Sequence, residues 1–170
     1  MNEELEVKLQ KEFPFMKQNR AENEYNIYSK WGCECSSGWY QIIHDMCQEI
    51  TDRYAQYGAP VDIVIQQIKE KFASLRFYYS HKDTACPIQA FDCLGDGISI
   101  RFQPKNTSDD EMKKKLRKDI AHIVRSYEEK SKTVCEICGQ KATMRMDMPW
   151  KKTLCDECYE KYLHKNQVNK

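Results

Sequence analysis

Leu5, Leu9 and Phe13 stand four apart, the spacing of one helix face, so residues 3–13 are predicted to form a short helix that Pro14 closes. Lys17 to Lys30 is polar and reads as a loop. Helical spacing returns at Trp39, Ile42, Ile43, Met46, Ile50 and Tyr54. These residues predict a buried face on a helix that starts near Gly38, with Ser36 or Ser37 as its cap and Gly58 and Pro60 as its stop. The period then changes. Ile63, Val64, Ile65 and Ile68 are β-branched and "LRFYYS" is aromatic, so two strands are expected, joined across "KEKFAS" by a connection of about four residues. "GISIRFQP" (Gly97–Pro104) reads as a third strand, with Ile98, Ile100 and Phe102 on one face. The connection from Ser80 to Gly97, which carries Cys86, Pro87 and Cys93, has room for a helical turn.

The clearest helix covers residues 109–131. Ser108 and Glu111 form a capping box, and Asp109 and Asp110 sit at the positive end of the helix dipole. Leu116, Ile120, Ile123, Val124 and Tyr127 make its apolar stripe, and Lys113, Lys114, Lys115, Arg117 and Lys118 are expected to face outward. The predicted class is α+β: a small antiparallel sheet of about three strands packed with helices, followed by a cysteine-bearing module. The expected organisation is an α+β domain over 1–106, a long connecting helix over 107–132 and a metal-binding module over 133–170.

Composition narrows the class. The 170 residues are 41% hydrophobic and 31% charged, with six Gly and five Pro, a globular rather than disordered or fibrous balance. No internal repeat or low-complexity tract is evident. No apolar run has the length of a membrane span, and "MNEELEVKLQKEF" lacks the basic and apolar regions of a signal peptide. A cytoplasmic setting is therefore expected, and there the nine cysteines favour metal ligation over disulfides. Residues 1–100 hold 10 Lys and Arg against 15 Asp and Glu, while residues 101–170 hold 17 against 11. The basic second half raises an anionic partner such as nucleic acid, set against lysines that simply face solvent.

Four cysteines carry the strongest signal. Cys135, Cys138, Cys155 and Cys158 give C-x2-C-x16-C-x2-C, the spacing of a four-thiolate structural zinc site. Each C-x-x-C can curl into a knuckle that aims two sulfurs at one ion, and Gly139 permits the left-handed turn behind the first. "ATMRMD" and "WKKTL" are expected to pair as a hairpin, and the second C-x-x-C to open a helix. That order describes a treble-clef-like or zinc-ribbon-like module. Four thiolates fill the zinc shell, which argues against catalysis at the metal. A thioredoxin-like redox use needs only one C-x-x-C in a βαβ context. An HNH-type nuclease needs a general-base His inside the hairpin. Residues 139–154 contain none, and His164 and Asn166 come later. The formal −2 of a loaded site is expected to be offset by Lys132, Lys141, Arg145, Lys151 and Lys152.

Two weaker constellations remain. Cys33, Cys35, His44 and Cys47 offer ligand types for a second metal, but C-x-C followed by H-x2-C is not a standard spacing, and small core residues explain them better. Cys86 and Cys93 with His81 are weaker still. Lys69, Lys71, Arg76 and Tyr78, beside Phe72, Phe77 and Tyr79, are a candidate anionic-ligand site, because aromatic and basic residues together can hold a base and its phosphate. The alternative is a strand with one core face and one solvated face. Asp92 and Asp96 make no carboxylate pair, and no phosphate loop, nucleophile elbow or H-E-x-x-H occurs.

In order, "SSGWYQIIHDMCQEI", "IQQIKEKFASLRFYYS", "SKTVCEICG" and "WKKTLCDEC" resemble a group of small uncharacterised phage and prophage proteins. Those proteins show a Gly-Trp helix start, a "VKEKFGxLRFY" hairpin, a long helix and a closing "TLCDxC". The resemblance spans roughly residues 32–160, with Ala73 where the family usually has Gly. It implies a mobile-element setting in a bacterial cytosol and brings no catalytic residues. The expected function is therefore that of a non-enzymatic, zinc-stabilised accessory protein acting by binding, as an anti-defence factor against a host immune protein or as a trap for a nucleotide-like ligand. A nucleic-acid-binding regulator and a divergent HNH-type nuclease are the alternatives.

Overall fold

The computed structural model describes residues 1–18, 26–84, 90–92, 99–101 and 111–168. Helix α1 (Glu3–Glu12) starts where the Asn2 side chain accepts from the Glu4 amide, and a 3-10 turn (Pro14–Met16) follows it. Helix α2 (Ile27–Trp31) is a finding against the predicted loop: the Asn26 side chain caps it by accepting from the Ser29 amide, and Gly32 leaves it at φ +65°. Strand β1 (Cys33–Glu34) and a 3-10 turn (Ser37–Trp39) lead into α3 (Tyr40–Gln56). Neither serine caps α3: Ser36 makes no side-chain cap bond, and Ser37 Oγ instead accepts from the Asn2 amide at 3.0 Å. The expected face of α3 (Ile42, Ile43, Met46, Ile50 and Tyr54), together with Trp39, is buried.

Strands β2 (Ile63–Lys71) and β3 (Ser74–His81) form an antiparallel hairpin with a bulge between Ile65 and Gln67. The connection is two residues, not four. Phe72 (φ 52°) and Ala73 (φ 58°) both lie in the left-handed region, the geometry of a type I′ turn that matches strand twist. The third strand of this sheet differs from the expected one. It is β1, parallel to β2 through Cys33↔Ile68 and Glu34↔Lys69, so the sheet is mixed. The predicted third strand is seen over β5 (Ser99–Arg101), which pairs antiparallel with β4 (Ala90–Asp92) in a separate ladder. Ser108, the predicted capping residue, and Cys86 and Cys93 lie outside the described residues.

Helix α4 (Glu111–Ser131) packs on α3 and β3. Its Leu116, Ile120, Ile123 and Val124 join one cluster with Leu9, Trp39, Ile43, Met46, Ile68 and Phe77. Arg117 does not face outward as its lysine neighbours suggested. It is buried, with Nη2 at 2.5 Å from Asp83 and 3.4 Å from Asp62. Asp62 also accepts from Tyr54 Oη (2.5 Å) and contacts His81 Nδ1 (2.9 Å), so this carboxylate ties α3, β3 and α4 together. The last turn of α4 closes the outer edge of β3: Ser131 Oγ accepts from the Leu75 amide and Glu128 Oε1 from the Phe77 amide, both at 2.8 Å. After α4 come β6 (Thr143–Arg145) and β7 (Lys152–Leu154), paired antiparallel, then α5 (Asp156–Val168). A second cluster of Cys135, Ala142, Met148, Leu154 and Cys158 forms here. No helix among the described residues is long and apolar enough to cross a membrane.

Candidate metal centre

The first knuckle begins as α4 ends. The Cys135 amide donates to Gln140 O (2.7 Å) and the Gly139 amide to Cys135 O (2.9 Å), with Gly139 at φ +80°. This is a tight loop that needs glycine at its exit. The hairpin β6–β7 returns the chain, Cys155 stands just before α5, and Cys158 lies in its first turn. The four sulfurs thus converge from two distant segments. All lie within 4.8 Å of one another, and Cys138 Sγ is 3.6 Å from Cys155 Sγ. Zn–S bonds of about 2.3 Å in a tetrahedron imply edges of about 3.8 Å, so the donor set fits a metal ion of that kind. It is the one such cluster among the described residues.

The electrostatics point the same way. Burial raises the Cys135 thiol, but the amides of Cys138, Cys155 and Ile137 outweigh it and hold the group down at about 7. Cys158 is driven up by burial and by the three neighbouring sulfurs, and Cys138 is also raised, first by burial. Four thiols this close resist ionising together, and a bound cation reverses that penalty. By contrast Cys33, Cys35 and Cys47 are buried, and burial is the leading cause that raises all three thiols, Cys35 to about 12. They behave as small core residues. His44, the fourth member of that set, directs Nε2 to Glu12 (3.1 Å) and Nδ1 to Asp45 (3.4 Å).

The knuckle is seated against the main core by contacts that sequence patterns did not reveal. The Gly38 amide donates to Glu136 O (2.9 Å), and the buried Trp39 indole donates to Val134 O (2.8 Å). The Glu136 amide donates to Thr153 O (3.0 Å), and Thr153 Oγ1 donates to Ala73 O (2.7 Å) in the β2–β3 turn. Gly38 is required by this approach, since a Cβ there would lie 2.3 Å from Cys135 O. The Gly-Trp pair and the hairpin turn, the most distinctive segments outside the cysteines, are therefore the seat of the metal site. Glu136 is 1% exposed and pairs through Oε1 with Lys152.

The candidate basic and aromatic residues stand together on the β2–β3 hairpin. Lys69 stands opposite Arg76 across the hairpin, two residues from Tyr78. Lys69 Nζ lies 5.3 Å from the Tyr78 ring, and Lys71 Nζ 5.3 Å from the Phe72 ring. Arg76 Nη1 donates to Leu75 O at 3.3 Å. His81 is held by Asp62. His164 is exposed on α5, beyond the second knuckle. Much of the basic second half is neutralised internally: Lys113 by Asp83, Lys114 by Glu111, Lys132 by Glu129, Arg145 by Asp156 and Lys161 by Glu157. Lys115, Lys118, His122 and Arg125 are exposed along one stripe of α4.

No family model matches the chain, and no curated protein or solved structure is significantly similar to it.

Proposed function

We propose that this protein is a zinc-stabilised accessory factor of phage or prophage origin that works by binding, with no catalytic step of its own. In this reading zinc fills the four-thiolate centre of a treble-clef-like or zinc-ribbon-like module. The observation that carries it is the convergence of Cys135, Cys138, Cys155 and Cys158 on a knuckle seated at Gly38 and Trp39. Four sulfurs complete the coordination of zinc and leave no position for substrate. The metal then stiffens one end of the molecule, where Trp150 (79% exposed), Met146 and Ile137 present apolar surface. Exposed aromatic and methionine side chains of this kind are typical interface anchors. A host protein, with a defence factor as the expected class, is the favoured partner. A nucleotide-like ligand is the alternative, supported by Lys69 and Lys71 beside the Tyr78 and Phe72 rings.

Three measurements test this. Elemental analysis of purified protein should return one zinc per chain, and a chelator should lower the melting temperature. Affinity capture from phage-infected cells should recover a host protein that Trp150→Ala fails to retain. Absence of metal, or equal capture by the variant, refutes the corresponding half of the reading. The α4 stripe of Lys115, Lys118, His122 and Arg125 supports a second reading, nucleic-acid binding. That reading requires an affinity that falls steeply with added salt, and a gel shift that is absent or indifferent to salt removes it.

A further inference from the structure

The four sulfurs are not equivalent. Cys135 and Cys158 are buried, only 0% and 8% exposed, Cys155 is half-buried, and Cys138 alone is exposed. The short 3.6 Å separation joins Cys138 to Cys155, one sulfur from each knuckle. The C-x-x-C partner of Cys138 is Cys135, which lies in the interior behind the Trp39 and Gly38 contacts. Access therefore singles out Cys138 and Cys155, the two least buried sulfurs, which are within reach of each other and belong to different knuckles.

Resting on the zinc reading above, we propose that the centre is an oxidant-sensitive site whose product is a Cys138–Cys155 disulfide, formed with release of the metal. The oxidant is hydrogen peroxide. The Cys138 thiolate attacks one peroxide oxygen, the O–O bond breaks, hydroxide leaves, and Cys138 becomes a sulfenic acid. The Cys155 thiolate then attacks that sulfur, expels a second hydroxide and forms the S–S bond. The two sulfurs together lose two electrons and the peroxide gains them. The final bond needs about 2.05 Å between sulfurs, so only a short closing movement separates the pair from it. Zinc left with Cys135 and Cys158 has lost half of its ligands and dissociates. The first knuckle then loses the ion that held it, and its grip on Gly38 and Trp39 loosens.

The oxidation product distinguishes this from indiscriminate thiol damage. Purified protein, with its zinc content measured first, is treated with hydrogen peroxide. Zinc release is followed with a chromophoric chelator, and disulfides are mapped by peptide mass spectrometry. The expected result is release of zinc in step with a peptide link between Cys138 and Cys155. A link within either C-x-x-C, or zinc release without any disulfide, overturns the proposal. Cys138→His keeps a nitrogen ligand for zinc, since three cysteines and one histidine also hold it, while removing the attacked sulfur. Its zinc release should slow at least about tenfold, and release at the wild-type rate also overturns the proposal. In a Trp31→Phe, Trp150→Phe background Trp39 is the only remaining tryptophan. Its emission should shift to the red as zinc leaves, and an unmoved spectrum refutes the coupling to the core. Protein purified without zinc would refute the metal reading and the release step together, whereas a zinc-loaded protein giving the wrong disulfide refutes only this inference.

Discussion

Gly38→Ala adds one methyl group to a residue with unexceptional backbone angles. Its predicted effect comes from position alone. The new Cβ would stand 2.3 Å from Cys135 O and 2.7 Å from Glu136 C and O. These are backbone atoms and cannot rotate away, so the Ser37–Trp39 turn and the first knuckle must separate. Overpacking of a tight interior site costs about 1–3 kcal/mol. Separation also stretches the Gly38 N–Glu136 O bond and the buried Trp39 Nε1–Val134 O bond, each worth about 1 kcal/mol net. The expected loss is about 2–4 kcal/mol, which for a chain of this size is a fall in melting temperature of roughly 5–15 °C. Gly58→Ala is the control. It has φ +62° but nothing within 4 Å of an added Cβ, so its cost is backbone strain of about 1 kcal/mol. Urea unfolding of the zinc-loaded variants, with zinc affinity measured by chelator competition, reads both quantities. Gly38→Ala should be the less stable of the two and should bind zinc more weakly, because Cys135 sits on the displaced segment. If Gly38→Ala matches wild type within about 0.5 kcal/mol, the seating of the knuckle is not what the geometry implies.

Thr153→Val removes the donor to Ala73 O in a dry setting, and should cost about 1–3 kcal/mol in chemical denaturation while leaving zinc content unchanged. Burial pushes the Asp62 carboxyl up, but hydrogen bonds from His81 and Tyr54 and the charges of His81 and Arg117 outweigh it and hold the group well below the usual carboxylate range. Its folded-state value is depressed, so its contribution is present above the ordinary aspartate value near 4 and is lost as pH falls below that. Between about pH 5 and pH 2, wild type should therefore lose stability more steeply than Asp62→Asn, and parallel curves would contradict the network. Phe72→Asn with Ala73→Gly places the preferred type I′ residues where both angles are already left-handed, and should raise stability by about 1 kcal/mol in the same unfolding assay.

Parts of this architecture were readable because their causes are local. The face of α3 and the stripe of α4 follow from helical spacing, and the C-x2-C-x16-C-x2-C pattern brings four sulfurs together because each knuckle is a self-contained turn. Other parts have non-local causes. Strand β1 is two residues long and carries no period; it exists because Cys33 and Glu34 pass beside Ile68 and Lys69. Helix α2 spans five residues within a polar stretch, although Asn26 and Gly32 are punctuation that could have marked its ends. Arg117 reads as one more cation in a lysine run, and only Asp62 and Asp83, 55 and 34 residues away, explain its burial. The Phe72–Ala73 turn lacks the Asn-Gly signal, so its tightness was hidden. The seat of the metal site was the least visible, since Gly38 and Glu136 are ordinary residues until the fold brings them together.

One consequence concerns the flank of β3. Its outward amides at Leu75 and Phe77 are spoken for by Ser131 and Glu128. Unguarded strand margins invite addition of a foreign strand or self-stacking into fibrils. Here that stretch is shut by the protein's own helix, so neither a guest peptide nor a second copy can extend the sheet there unless α4 first peels away. Association at that flank must proceed through side chains, and a partner that did dislodge the helix would have to break the α3–α4 packing at the centre of the molecule.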